Sequence, residues 1–485
     1  MVKDNTFLGT EPIGKLLFKL SLPSITAQVI NMLYNLVDRI YIGHIPEVGD
    51  IALTGVGVCM PLIMIVSAFA ALISMGGAPR ASICMGQGNN EKAEKFLGNG
   101  LCLQVIISAV LTAAMLIWNR EFLYAFGASD NTIEYAVSYM NIYAIGTVFV
   151  QVTLGMNAFI TAQGFAKTGM LTVLIGAITN IVLDPLFIFA FKMGVRGAAL
   201  ATIISQAIST VWTLAFLCGK KTILRIKPEN FKLQWKYIMP CVSLGIAPFI
   251  MQASESIIAI CFNTSLKKYG GDIAVGAMTI LTSVMQFAML PMTGLGQGAQ
   301  PITSYNYGAG NADRVKKSYK LLLIISLAYS TVLWGLVMLF PKMFAKIFSN
   351  KPELIDFTAS VMPIYNAVLL IFGIQTACQM TFNAIGSATD SIVVAVMRKF
   401  VLLIPLIYLL PALVPDKANN LMLTKAVYLA EPVADVLAVT FTAILFTIKF
   451  KKALKTMKER KNSADKSSLL SENKVQTAAA SQSEK

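Results

Sequence analysis

Apolar runs of about twenty residues recur along the whole chain, centred near residues 30, 64, 107, 148, 180, 207, 250, 286, 328, 369, 402 and 435. An α-helix needs about 20 such residues to cross the hydrocarbon of a bilayer. Lipid offers the backbone no hydrogen-bond partner, so segments of this length must satisfy their own N–H and C=O groups as helices. Composition agrees: 56% of the residues are hydrophobic and 13% charged, against about 45–50% and about 25% in soluble domains. The expected fold is an all-α polytopic membrane protein with twelve transmembrane helices. The first run, from Leu16 to Ile45, is too long for a signal-peptide core, and no cleavage site follows it.

An even number of spans puts both termini on one side. Basic residues crowd the N-terminus (Lys3, Lys15, Lys19), the second loop (Arg80, Lys92, Lys95), the sixth (from Lys220 to Lys236), the eighth (Arg314, Lys316, Lys317) and the stretch from Lys449 to Lys461. These segments alternate as the positive-inside rule requires, so they and both termini are expected in the cytoplasm, around a plasma (inner) membrane. The net charge of +15 is then a topology signal. Nucleic acid is not an expected partner, because the basic residues are divided among short loops without a recognition module. The basic tail, residues 451–485, ends rich in Ser, Ala, Gln and Lys and is expected to be disordered.

The chain repeats itself. GGAPRASICMGQGNNEKAEK begins at Gly76, and GAQPITSYNYGAGNADRVKK begins at Gly298. At an offset of 222, Gly76, Pro79, Ser82, Gly86, Gly88, Asn89 and Lys95 meet Gly298, Pro301, Ser304, Gly308, Gly310, Asn311 and Lys317. The same offset sets Gly164 on Gly386. Two six-helix bundles follow, residues 1–219 and 237–450, joined by a cytoplasmic linker, 220–236. Six is even, so the bundles share one orientation and a pseudo-twofold axis along the membrane normal. The glycines and prolines of the two stretches read as turn chemistry at span-to-loop junctions.

GQGAQPITSYNYGAGN, from Gly296, resembles the signature junction of the MATE family (multidrug and toxic compound extrusion). GGAPRASICMGQGN, LPSITAQVINMLYNLVDRIYIG in the first span and NIVLDPLFIF in the fifth agree with it, and the resemblance covers about residues 10 to 455. It implies a secondary exporter with twelve helices in two bundles, exchanging Na⁺ or H⁺ for organic cations and other drugs.

NIVLDPLFIF puts a carboxylate, Asp184, in an apolar run, with Asn180 one turn earlier on the same helix face. An ionised group at bilayer depth costs at least about 2.5–3.5 kcal/mol and normally faces a polar interior. Pro185 removes a backbone donor and widens the helix there. The first span carries Tyr34, Asn35 and Asp38 on one broad polar face, and the sixth carries Thr202 and Gln206. At about 1.5 Å per residue, Asp38, Asp184 and Thr202 fall at comparable height in the outer half of the first bundle. Asp38, Asn180, Asp184 and Thr202 together make an oxygen-rich site for Na⁺, and the same group can hold a proton instead. The resemblance implies the same: each of the four matches the cation-coupling cluster of the archaeal and DNA-damage-inducible MATE branch.

The second bundle differs. At the repeat offset, Asn180 and Asp184 fall on Leu402 and Leu406. Gln252 and Glu255 lie in the seventh span, and Glu255 resembles the seventh-helix coupling glutamate of the NorM-like and plant branches. The tenth-span aspartate that partners it in NorM-like proteins is absent, so Glu255 is expected to meet cargo charge. Arg398 in the eleventh span and Glu431 and Asp435 in the twelfth lie at matching depth and are expected to form a structural ion pair, since an unpaired buried charge is costly. Met278, Met285, Met289 and Met292 stripe the eighth span. Flexible thioethers suit a promiscuous cavity, so Met285 and Met289 join Tyr34, Asn35, Gln252 and Glu255 as candidate cargo contacts.

One histidine, seven scattered cysteines and no phosphate loop argue against an enzyme and against an ATP-driven pump. The expected function is secondary active multidrug efflux of mainly cationic, amphipathic compounds by alternating access, with H⁺ or Na⁺ as coupling ion, no cofactor, and a monomer in the bilayer. The alternatives are a flippase for a lipid-linked precursor and an exporter of one specific metabolite.

Overall fold

The computed structural model describes the backbone of residues 6–416 and 418–483, with side chains as far as Glu459. Every regular element among the described residues is helical. The first three spans are Ile13–Gly43, Gly49–Gly86 and Asn90–Ile117. The fourth is a broken pair, Ile133–Ile145 and Thr147–Ala162, bent by 56°. The fifth is Ala166–Pro185 continued by a π-helical turn, Leu186–Ala190, and the sixth is Val195–Cys218. The wider turn follows directly on Pro185, whose ring nitrogen has no proton to donate.

A continuous stretch, Trp235–Gly308, holds the seventh and eighth spans, which part at Gly271 in the left-handed region (φ 64°). The ninth span is Ala312–Leu339. The tenth is again a broken pair, Pro352–Tyr365 and Leu369–Ala384, bent by 49°. The eleventh, Ala388–Leu413, contains a π-helical stretch, Met397–Leu403. The twelfth starts at Asn420 and runs to Ser483.

The repeat is visible in the backbone. Gly88 and Gly310 take left-handed φ of 75° and 73°, and Gly164 and Gly386 take 89° and 76°, both pairs 222 residues apart. The other junction glycines correct the turn reading. Gly76, Gly86, Gly298 and Gly308 lie inside helices at close crossings between the halves. A Cβ on Gly86 would sit 2.0 Å from the Tyr305 carbonyl oxygen, and one on Gly308 2.0 Å from that of Ile83. Ile83 and Tyr305 are themselves 222 apart, so this crossing lies on the pseudo-twofold axis.

One apolar core at the basic end takes residues from both halves, including Leu16, Phe159, Ile302 and Tyr305. At the opposite end each half has its own, around Tyr139 in the first and Phe262 in the second. The lobes are therefore joined at the basic end and parted by a cleft that opens away from it. The linker is docked on the first lobe. Gln163 Oε1 accepts from Thr222 Oγ1 (2.9 Å) and from the N–H groups of Ile223 (2.9 Å) and Leu224 (2.8 Å), and Lys227 pairs with Glu94 at 2.6 Å.

Gly86→Ala and Gly308→Ala should each lower the apparent Tm of the purified protein, as overpacking costs about 1–3 kcal/mol. Gly335→Ala, with nothing within 4 Å of its Cβ, should leave Tm unchanged. Thermal melts of the three variants check this.

Candidate functional site: two lobes with opposite charge arrangements

In the first lobe, the first, fifth and sixth spans bring the expected residues together. Asp184 and Asn180 are buried at 0% and 1% exposure, one turn apart, and Asn180 Nδ2 donates to Asp184 Oδ1 at 3.2 Å. Asp38, half-buried on the first span, is a close neighbour of Asp184. Two neighbouring carboxylates repel each other unless a proton or a metal cation lies between them. Three buried oxygens here, Asp38 Oδ1, Asn180 Oδ1 and Asp184 Oδ2, have no hydrogen-bond partner. Buried acceptors are rarely left so. The donor set, two carboxylates and an amide oxygen, suits a hard monovalent cation or a proton.

Thr202 reaches this group through a residue that the sequence reading missed. It neighbours Tyr139 of the fourth span, which faces Asp38 and stacks on Tyr143 with centroids 6.2 Å apart. Only the pattern of Tyr135, Tyr139 and Tyr143 along one helix face hinted at it. Tyr34 is half-buried beside Asp38. Asn35 turns back on its own helix, its Nδ2 donating to Asn31 O at 2.6 Å.

In the second lobe the charges are paired. Arg398 donates to Asp435 at 2.7 Å and to Glu431 at 3.1 Å, and its guanidinium lies 4.8 Å from the centroid of the Phe372 ring. Glu255, the candidate for cargo charge, has a partner within its own lobe. It is bonded to Lys399, with Nζ 2.7 Å from Oε1, because the π-helical stretch turns Lys399 inward beside Arg398. Gln252 is exposed one turn before Glu255. Of the methionine stripe, Met278 and Met292 pack in the interior, whereas Met285 and Met289 stay half-buried. The seven cysteines are free thiols.

Removing Arg398 leaves two buried carboxylates without a partner. Arg398→Ala should cost about 3–5 kcal/mol, and adding Glu431→Gln and Asp435→Asn should recover part of it. Folded yield and apparent Tm of the single and triple variants check this, and a triple variant no better than the single would show that the three do not act as partners.

The MatE family model matches residues 23–186 and again 248–409, one match in each half. Among curated relatives, the multidrug export protein MepA of Staphylococcus haemolyticus is 23% identical over 401 residues, covering 83% of this chain and 88% of that one. An FAD transporter of Shewanella oneidensis is 23% identical over 412 residues, covering 84% and 90%. A solved MATE structure in the bent conformation superposes with a TM-score of 0.87 at 21% identity, over 94% of this chain and 100% of that one. An outward-facing multidrug resistance MATE transporter of the MOP superfamily gives 0.86 at 22% identity, over 93% and 98%. With a match in each of its two lobes, the chain belongs to the MatE family of multi-pass membrane transporters, and it is not an enzyme.

Proposed function

We propose that the chain is a secondary active multidrug exporter of the plasma membrane, with both termini in the cytoplasm. It exchanges H⁺ or Na⁺ for organic, mainly cationic, compounds by alternating access, as a monomer. The observation that carries this reading is the group of three buried, unpartnered oxygens on Asp38, Asn180 and Asp184, which a coupling ion would satisfy. Thr202 and Tyr139 support the group from the side. The paired charges of the second lobe favour a structural role for Arg398, Glu431 and Asp435. Tyr34, Asn35, Gln252, Met285 and Met289 line the cargo path. The membrane potential can drive such an exchange, at about 2.3 kcal/mol per charge per 100 mV.

Export of one specific metabolite is the second reading. Its support is that the relative named as an FAD transporter is as similar to this chain as the relative named as a multidrug exporter. A flippase for a lipid-linked precursor has less support, because carboxylates outnumber cations at depth.

Ethidium efflux in everted membrane vesicles, with ΔpH and ΔNa⁺ imposed separately, tests the main reading and identifies the coupling ion. Asp38→Asn and Asp184→Asn should each abolish gradient-driven efflux of every dye alike at unchanged expression, because a carrier that cannot exchange its ion cannot reset. Wild-type efflux by either variant would remove that aspartate from coupling.

A further inference from the structure

Arg398 and Lys399 are consecutive, lie inside a membrane-spanning helix, and are both buried. The π-helical stretch Met397–Leu403 turns them to different neighbours: Arg398 to the twelfth span and Lys399 to the seventh. The repeat scaffold does not require these charges. At the offset of 222, Arg398, Lys399 and Glu255 fall on Gly176, Ala177 and Leu33.

The charges are committed unequally. Arg398 is held by two carboxylates, Asp435 and Glu431, whereas the ion pair of Lys399 is with Glu255. Burial across that pair is uneven as well. The Lys399 side chain is 6% exposed and that of Glu255 52%. The carboxylate is the exposed member of the pair, with the ammonium behind it. Gln252 neighbours both Phe249 and Glu255 on the seventh span at steps of three. The Phe249 ring meets Phe69 of the first lobe edge-on at 4.9 Å, so Glu255 lies within two turns of a contact between the lobes. Among the described residues the one ion pair of Lys399 is with Glu255, and a buried ammonium that loses its paired anion is strongly destabilised. Anything that takes the place of Glu255 must therefore bring a negative group.

We propose that Lys399 is a specificity-determining residue whose ammonium, covered by the Glu255 carboxylate in this conformation, takes a carboxylate or phosphate group of the cargo when Glu255 swings into the cleft. The inference rests on the export reading and extends it. The cleft has two poles, acidic at Asp38 and Asp184 and basic at Lys399, and it fits amphipathic zwitterions as well as simple cations. A cation binds without disturbing the Glu255–Lys399 pair. A zwitterion exchanges its own anion for Glu255, and total charge at Lys399 is conserved.

Efflux of norfloxacin, as the carboxylate-bearing zwitterion, and of ethidium, as the cation, is compared in the same vesicles. Lys399→Gln should lower norfloxacin efflux by about 10-fold or more and leave ethidium within about 2-fold. Glu255→Gln should shift preference toward norfloxacin, because the competing internal anion is gone. The double variant Glu255→Gln with Lys399→Gln keeps the local charge balanced, so it folds even where Lys399→Gln does not, and should show the same selective loss. Equal loss of both compounds, or undiminished norfloxacin efflux, in the double variant would overturn the proposal. So would wild-type export of ethidium without norfloxacin. Wild-type vesicles that move neither compound would overturn the export reading and this proposal with it.

Discussion

The crossing of the second and eighth spans is the contact on which the architecture depends. Gly86 lies on the carbonyl of Tyr305 and Gly308 on that of Ile83, each too close for a side chain. Because the two contacts are copies at the repeat offset, they set the pseudo-twofold axis and join the lobes at the basic end. Hydrogen bonds between the lobes gather at the same end. Gln28 meets Gln297 at 3.1 Å, Arg80 reaches the Gly386 carbonyl at 3.1 Å, and Arg314 reaches the carbonyls of Leu8 at 3.1 Å and Glu11 at 2.7 Å. Among the described residues, no ion pair joins the two lobes. A seam of close packing and arginine–carbonyl bonds parts without separating an ion pair.

That seam also decides where polar groups sit. Below it the shared core excludes water. Above it the lobes part, and each holds charged side chains along the cleft. The first lobe leaves carboxylate oxygens of Asp38 and Asp184 without donors, whereas the second pairs its carboxylates Glu431, Asp435 and Glu255 with Arg398 and Lys399. One scaffold, copied twice, thus carries an ion-hungry site on one side and a self-neutralised network on the other. The two π-helical turns lie in the corresponding fifth and eleventh spans, next to Asp184 in one and at Arg398 and Lys399 in the other. Each widens a helix at the point where it presents charge.

Much of this was legible in the chain. The grouping of Asp38 with Asn180 and Asp184 followed from counting residues along two helices, since rise per residue converts position along a helix into height. The partnership of Arg398 with Glu431 and Asp435 followed from the same count. Lys399 was not legible in its role, because its neighbour Arg398 already accounted for the cation expected at that depth, and only a local departure from α-helical winding turns both inward. Tyr139 was missed because a tyrosine in an apolar span carries no charge to mark it. The glycines of the repeated stretches look alike in a sequence. Gly88 and Gly310 make turns, whereas Gly86 and Gly308 make helix crossings, and the difference lies in what stands opposite them.

The amino-acid sequence by itself determined the all-helical membrane fold and the twofold repeat, because hydrophobic length and repetition are properties of one segment at a time. Tertiary structure alone decided which groups pair: Glu255 with Lys399 instead of standing free, and the linker with Gln163. Those choices depend on how helices rotate and wind against neighbours far away in the chain. A change of one helical turn from α to π winding is enough to bring a buried cation to a carboxylate 144 residues away, and no feature of either segment read alone records it.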